Sequence, residues 1–183
     1  MNIANNPGTD MTEITITVPA RQDLADIVLL YRTVASMEGG LARRVEEITD
    51  EYVLGNFTHS SVRGLIFIAR AGGQVVGEIH AFRPVPQVFA HVLSDLTIAV
   101  HPDYQNRGVG RLLFNALLNT VRTDHPDILR VELIARESNQ RAIQFYASLG
   151  FEIEGKMRNR IKSVGGGFEA DIPMAWHRNH THP

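Results

Sequence analysis

The sequence contains no cysteine, which removes a disulfide framework, a thiol nucleophile and any thiolate metal site from consideration. No apolar run approaches the ~18 residues that a membrane-crossing helix needs. The opening MNIANNPGTD lacks the basic-then-apolar plan of a secretory signal. Charge excess is missing too: a formal net charge of −2 over 183 residues offers no basic face to nucleic acid or to an anionic membrane. The expected setting is the cytoplasm, with neither nucleic acid nor membrane as partner. Three of the eight histidines fall in the last seven residues, HRNHTHP. They read as a frayed polar tail, and no metal is expected.

What is present is an ordinary globular composition, 44% apolar and 21% charged, long enough for one full core. Residues 1–11 are rich in Asn, Pro, Gly and Asp and read as a flexible leader. One domain is expected over 12–177, with a flexible tail at 178–183. Glu13–Val18 alternates apolar and polar residues, the period of a strand. Leu24, Ile27, Val28, Tyr31 and Val34 mark one face of a helix over about Arg21–Met37, stopped by Gly39-Gly40. Thr49 or Asp50 is placed to cap a short helix through Tyr52, Val53 and Phe57. Leu65–Ala71 and Gln74–Phe82 flank Gly72-Gly73, the sign of a hairpin. Gly77 inside the second strand predicts a bulge or a close neighbour.

The stretch on which the rest depends is Leu93–Thr123, LSDLTIAV-HPDYQNRGVG-RLLFNALLNTVRT. A Val/Ile/Leu/Thr-rich run predicts a buried strand beginning near Val92, which His101-Pro102-Asp103 interrupts. After the turn, Leu112, Leu113, Ala116, Leu117 and Val121 share a helix face. A glycine-containing turn between strand and helix aims backbone N–H groups and the positive end of a helix dipole at one point, a site for phosphate or pyrophosphate. Gly108 and Gly110 permit close approach and unusual φ angles, and Arg107 and Arg111 add charge. A phosphate-hydrolase loop of the Walker type needs Lys followed by Ser or Thr, and Arg111-Leu112 stands there instead. A dinucleotide fingerprint needs a glycine at position 113, which is Leu.

Further along, Ile128–Ala135 reads as a strand, and Ser138 or Asn139 caps a helix bearing Ala142, Phe145, Tyr146 and Leu149 and ending at Gly150. Glu152–Lys162 and Phe168–Trp176 read as a closing hairpin. The series Ala-Val-His-Pro-x-Tyr-Gln-x-x-Gly-x-Gly, followed by Asn-x-x-Ala-x-x-Phe-Tyr-x-x-Leu-Gly-Phe, resembles the two signatures of the GCN5-related N-acetyltransferases (GNAT), in their order and spacing. The resemblance covers about Ile14–Trp176. It implies an α/β (α+β) fold with a central, mixed but mostly antiparallel sheet of six to seven strands and about four helices, whose splayed central strands bind acetyl-CoA.

The reaction implied is transfer of an acetyl group from acetyl-CoA to a primary amine of a small molecule, peptide or protein. On that resemblance the amides of Gln105, Asn106, Arg107, Gly108, Val109, Gly110 and Arg111 cradle the pyrophosphate. Backbone groups of Ile98 and Val100 pair with the pantetheine arm, and the Ile98 N–H is a candidate to polarise the thioester. Asn139 bonds that arm besides capping its helix, although capping alone also accounts for it. Tyr146 protonates the leaving thiolate; a buried structural tyrosine is the alternative. A homodimer, common in the family, is the expected assembly. The region 38–51, with Glu38, Glu46, Glu47, Asp50 and Glu51 against Arg43 and Arg44, falls where the family builds an acceptor wall. A solvated helix face is its plainer explanation.

The general base departs from the better-known pattern. Many relatives carry Glu on the central strand eleven or thirteen residues before the motif glutamine, where this chain has Ser94 and Val92. The candidates for deprotonating the amine are His80 and Glu78, which share a face of the preceding strand, and a water ordered by Ser94. His91 and Asp95 are nearby, Asp95 on the opposite face unless a bulge intervenes. The missing glutamate keeps a second reading open: a GNAT-like module that binds acyl-CoA as a sensor without turnover.

Overall fold

The computed structural model describes residues 13–37, 39–162 and 166–178; the expected leader and positions 179–183 lie outside them. The elements run β1 (Ile14–Thr17), α1 (Leu24–Ala35), α2 (Asp50–Arg63), β2 (Gly64–Ala71), β3 (Gln74–Phe82), β4 (Val92–Val100), α3 (Val109–Asp124), β5 (Arg130–Arg136), α4 (Gln140–Ala147), β6 (Glu152–Ile153), β7 (Met157–Lys162) and β8 (Phe168–His177). The strands form one sheet in the order β1-β2-β3-β4-β5-β8-β6, with β7 also on β8. Every pair is antiparallel except β4 with β5.

Each face of the sheet carries its own apolar layer. On one, α1 contributes Ile27, Val28, Leu30, Tyr31 and Val34, joined by Ile48, Val53, Ile68, Val75 and Ala99. On the other, α3 buries Val109, Leu113, Phe114, Leu117, Leu118 and Val121 against Val76, Ile79, Ala81 and Leu93. The period-2 alternation of β3 therefore feeds both layers. Gly77 is what lets α3 lie close: a Cβ there would sit 3.0 Å from both Leu113 and Val109. The bulge expected at this glycine also occurs, where Ala69 faces Gly77 but Arg70 faces Val75.

Three expectations need correction. The helix read as a short one from Thr49 or Asp50 runs fourteen residues, with the Thr49 side chain accepting the Tyr52 N–H at 3.1 Å. The first strand of the closing hairpin is split into β6 and β7, which brings the sheet to eight strands. Pro173 of β8 explains the break: its carbonyl accepts the Glu154 N–H at 3.0 Å, and on that side it has no N–H to return. Lastly, Arg178 belongs to the domain rather than to a tail. Its backbone N–H reaches the Leu129 carbonyl, and its guanidinium donates to the carbonyls of Val121, His125 and Ile128 at 2.5–2.9 Å. That is where the end of α3 leaves acceptors without intrahelical partners.

Candidate active site

The site begins with a disagreement between two neighbouring strands. β4 and β5 pair only at Val92–Arg130 and Leu93–Val131, then part. At the parting, Asp95 adopts φ 51°, and the register with β3 jumps from Phe82–Ser94 to His80–Thr97. This is a β-bulge, one extra residue that bends the strand. Asp is among the few residues besides glycine that tolerate the left-handed conformation. Beyond the bulge β4 stays paired with β3 as far as Gly77–Val100, so its other edge opens onto the gap.

The alternation of an antiparallel ladder identifies the groups on that edge. The His101 N–H donates to Val76 at 2.9 Å, so the main-chain groups of residues 97, 99 and 101 face β3. Those of Ile98 and Val100 face the gap. The Val100 carbonyl there accepts from the Gln105 side-chain amide at 3.2 Å.

The chain then makes a single turn at Pro102–Tyr104 and enters α3. Asn106 and Gly108 take φ 62° and 83°. Around Gly108 nothing lies within 4 Å of where a Cβ would be, so this side of the turn is open. The amides that begin α3 have no intrahelical acceptor, and α3 starts without a side-chain cap. Gly110 differs from its expected role. It is inside the helix, without a positive φ, and a Cβ would meet the Phe145 ring at an ordinary 3.6 Å.

The polar side chains of the turn are engaged with the protein. Arg107 lies 5.2 Å over the Tyr104 ring, and Arg111 is turned toward α4, 5.6 Å over Phe145 and 2.9 Å from the Ser148 hydroxyl. The Asn106 side-chain carbonyl accepts from Arg141, a residue of α4 that the sequence motifs did not single out. The open feature of this turn is thus its backbone, an arrangement suited to an anion.

α4 completes one wall. Asn139 caps it by accepting the Ala142 N–H at 3.1 Å. Tyr146 packs among Phe114, Phe145 and Phe151 with ring centroids 5.5–6.2 Å away. It is half-buried, and desolvation pushes its phenol up to about 12. The group therefore remains protonated throughout the neutral range.

On the α1 side of the sheet lies a second cluster. Glu78 and His80 are sealed, 0% and 1% exposed, and Tyr31 of α1 completes their contacts. The Tyr31 hydroxyl donates to Glu78 Oε2 at 2.5 Å, His80 Nδ1 lies 2.9 Å from Glu78 Oε1, and Tyr31 Oη is 3.0 Å from that same nitrogen. Burial and the Glu78 carboxylate hold the Tyr31 phenol protonated, well above its usual range. The two expected base residues thus come together, but neither presents an open surface. Tyr31 was missed because on the helical wheel it is one more apolar-face residue. Ser94, half-buried, shares this face of the sheet through its pairing with Phe82.

The acidic stretch at 43–51 is largely neutralised by its own neighbours. Asp50 meets Arg32 at 3.4 Å, Glu46 lies 3.9 Å from Arg44, and Glu47 accepts the Arg44 N–H at 2.7 Å. Glu51 sits at the start of α2, where hydrogen bonds from its own N–H and the Thr49 side chain hold its carboxyl below the ordinary range. A recess of about 480 Å³ opens beside Arg32, Glu46, Thr49 and Asp50. Glu38 lies outside the described residues.

The sheet thus parts between β4 and β5, the one parallel pair among the described residues, with an open helix-starting turn at the parting. Residues 62–153, half of the chain, match the family model of the GNAT acetyltransferase domain, and the chain belongs to that family. Among curated proteins it is similar to the [ribosomal protein bS18]-alanine N-acetyltransferase of Salmonella typhimurium, with 36% identity over 91 residues, 50% of this chain and 60% of that one. It is likewise similar to the N-alpha-acetyltransferase RimI of Mycobacterium tuberculosis, with 36% identity over 102 residues, 54% of this chain and 58% of that protein. The chain thus spans about three fifths of the length of these relatives. Among solved structures, yncA of Salmonella typhimurium, a putative acetyltransferase with its cofactor acetyl-CoA, superposes with a TM-score of 0.79 at 20% identity, covering 93% of this chain and 98% of that one.

Proposed function

We propose that this protein transfers the acetyl group of acetyl-CoA to a primary amine. The observation that carries the reading is the junction of the open turn at Gly108 with the gap between β4 and β5. The pyrophosphate of the co-substrate would lie on the amides that begin α3, where the helix dipole favours negative charge. The unpaired edge of β4, at Ile98 and Val100, would accept the amide-bearing arm as an added strand. That brings the thioester toward the bulge at Asp95, with a β4 main-chain N–H, Ile98 foremost, to stabilise the oxyanion.

The chemistry then needs a base for the ammonium and an acid for the thiolate. Tyr146 is the acid: its hydroxyl holds a proton at neutral pH and stands on the helix that walls the gap. The ammonium proton leaves along the α1 face of β3 and β4, which carries Glu78, His80 and Ser94. The amine then attacks the thioester carbonyl, the C–S bond breaks, and the thiolate takes the Tyr146 proton. Tyr146 is reprotonated by the proton that the new amide nitrogen sheds. Attack is direct, with amine and acetyl-CoA bound together.

The curated relatives are named for an alanine of a ribosomal protein and for an N-alpha position, so a peptide α-amine is the first acceptor to test. Thiol release from acetyl-CoA, followed with peptides bearing free N-termini, lysine peptides, spermidine and free amino acids, decides the matter. Turnover that depends on one amine class supports the reading and identifies the acceptor. Acetyl-CoA binding without thiol release on any amine would replace it with a non-catalytic acyl-CoA sensor.

A further inference from the structure

Helix starts favour acidic side chains, because the unpaired N–H groups and the dipole there are positive. α1 and α2 follow that rule, with Asp26 in the first turn of one and Asp50 and Glu51 in the first turn of the other. The two helices that meet at the open turn do not. Neither α3 nor α4 has an acidic residue in its first turn, and each has an arginine there instead, Arg111 and Arg141. A cation at a helix start costs stability, and cations gathered around one turn repel one another. A local rule broken at this one place in the fold marks a site that draws its counter-charge from a ligand.

The protein's own carboxylates do not supply it. Among the described residues, none of Arg107, Arg111 and Arg141 forms a salt bridge. Their partners are neutral: the Tyr104 ring for Arg107, the Phe145 ring and Ser148 hydroxyl for Arg111, and the Asn106 side-chain carbonyl for Arg141. The acids nearest in sequence have partners of their own. Asp103 faces His101 at 3.8 Å, and Glu137 is paired with Lys156.

Of the three, Arg141 is the one that reaches back to the turn. Arg111 is directed onto α4 and Arg107 lies over Tyr104, but exposed Arg141 extends from α4 to Asn106, two residues before Gly108 and itself at φ 62°. A guanidinium carries several N–H donors in a rigid fork that matches a phosphate. Asn106 engages Nη2, and no other acceptor meets the fork among the described residues. We propose that Arg141 is a phosphate-binding residue of the co-substrate site: held in place by Asn106, it donates to a phosphate of the nucleotide half of acetyl-CoA and makes the protein favour acyl donors that carry that half. The diphosphate and the ribose 3′-phosphate share this chemistry, and the test separates them. The proposal rests on acetyl-CoA entering by the turn, as in the acetyl-transfer reading, but not on turnover.

The Asn106 contact by itself would make Arg141 a brace between α4 and the turn. A brace to a carbonyl needs a donor and no charge, whereas a phosphate site needs the charge. The two roles part in two variants. Arg141→Gln keeps a donor amide and loses the charge; Arg141→Lys keeps the charge and loses the fork. Stability separates them as well. Removing a cation from a helix start favours the helix, so a protein that uses Arg141 only for the ligand gains by losing it.

The test is calorimetric titration of acetyl-CoA and of acetyl 3′-dephospho-CoA into wild type, Arg141→Gln and Arg141→Lys, at low and at high ionic strength, with a melting curve of each protein alone. Arg141→Gln should bind acetyl-CoA roughly ten- to a hundredfold more weakly at low ionic strength, and the gap should narrow as salt rises. It should melt no earlier than wild type. Arg141→Lys should bind with an affinity between the two. A loss seen with acetyl-CoA alone identifies the 3′-phosphate, and an equal loss with both donors identifies the diphosphate. Equal binding by wild type and Arg141→Gln overturns the proposal. So does weaker binding that ignores salt and accompanies earlier melting, which would make Arg141 a brace. Wild type that binds neither donor would sink the proposal together with the co-substrate reading. Wild type that binds acetyl-CoA but releases no thiol on any amine would sink acetyl transfer alone, and the comparison of variants would still decide the role of Arg141.

Discussion

Tyr146 and Gly108 carry the two most local consequences. The aromatic surroundings of Tyr146 desolvate its phenol and favour the neutral form, which is the form the proposed proton donor needs at neutral pH. Tyr146→Phe keeps the ring packing and removes the proton. kcat should fall by roughly ten- to a hundredfold with acetyl-CoA affinity unchanged, and an unaltered kcat would remove this residue from the mechanism. The sign of its effect on stability also follows. Because the folded-state phenol titrates above the unfolded one, the protein loses stability as pH rises past about 10, where the unfolded chain begins to release the proton. The glycines of the turn separate cleanly. Gly108→Trp fills the open side of the turn and forces a side chain onto φ 83°, so acetyl-CoA binding should disappear. Gly110→Ala points its methyl at Phe145, inside a helix that prefers alanine. It should raise stability by about 0.5 kcal/mol and leave binding intact.

Among elements, the start of α1 is fastened to the sheet by Asp23, whose carboxylate accepts from Ala20 N–H at 2.8 Å and from Arg70 at 2.7 Å. Burial opposes its charge, but the Ala20 N–H and the Arg70 guanidinium outweigh burial and hold its carboxyl below the ordinary range. A depressed carboxyl stabilises the fold above its unfolded value near 4, and that stability is lost as pH falls through the lower folded value. Asp23→Asn should therefore cost about 1–3 kcal/mol at pH 7 and flatten the acid limb of a melting-temperature profile below pH 4. A profile identical to wild type would show that the fastening contributes nothing.

Elements were largely legible from periodicity and punctuation. The alternation of Ile14 and Ile16, the Gly72-Gly73 hairpin and the apolar stripe of α3 each lie where the pattern placed them, whereas Val18 falls outside β1 and is exposed. The bulge at Asp95 was foreseeable only as an alternative, since alternation by itself sends that residue to the other face. The break between β6 and β7 was not legible, because its cause is Pro173 on a different strand. The Tyr31–Glu78–His80 contact joins residues 47 and 49 positions apart, and nothing local to Tyr31 announces it.

At the scale of the whole molecule, the sheet is two paired halves held together at Val92 and Leu93 and open beyond them. α3 and α4 close one side of that opening, and α1 and α2 lie against the other face of β3 and β4. On the proposed reading the co-substrate takes the open edge of β4, and Glu78, His80 and Ser94 lie on the α1 face beside it. The account stands or falls on whether acetyl-CoA enters this gap by way of the turn. Calorimetric titration of acetyl-CoA into wild type and Gly108→Trp measures that directly. Saturable one-to-one binding to wild type, absent in a Gly108→Trp protein that is still folded, is the predicted result. Equal binding by both proteins would contradict the account.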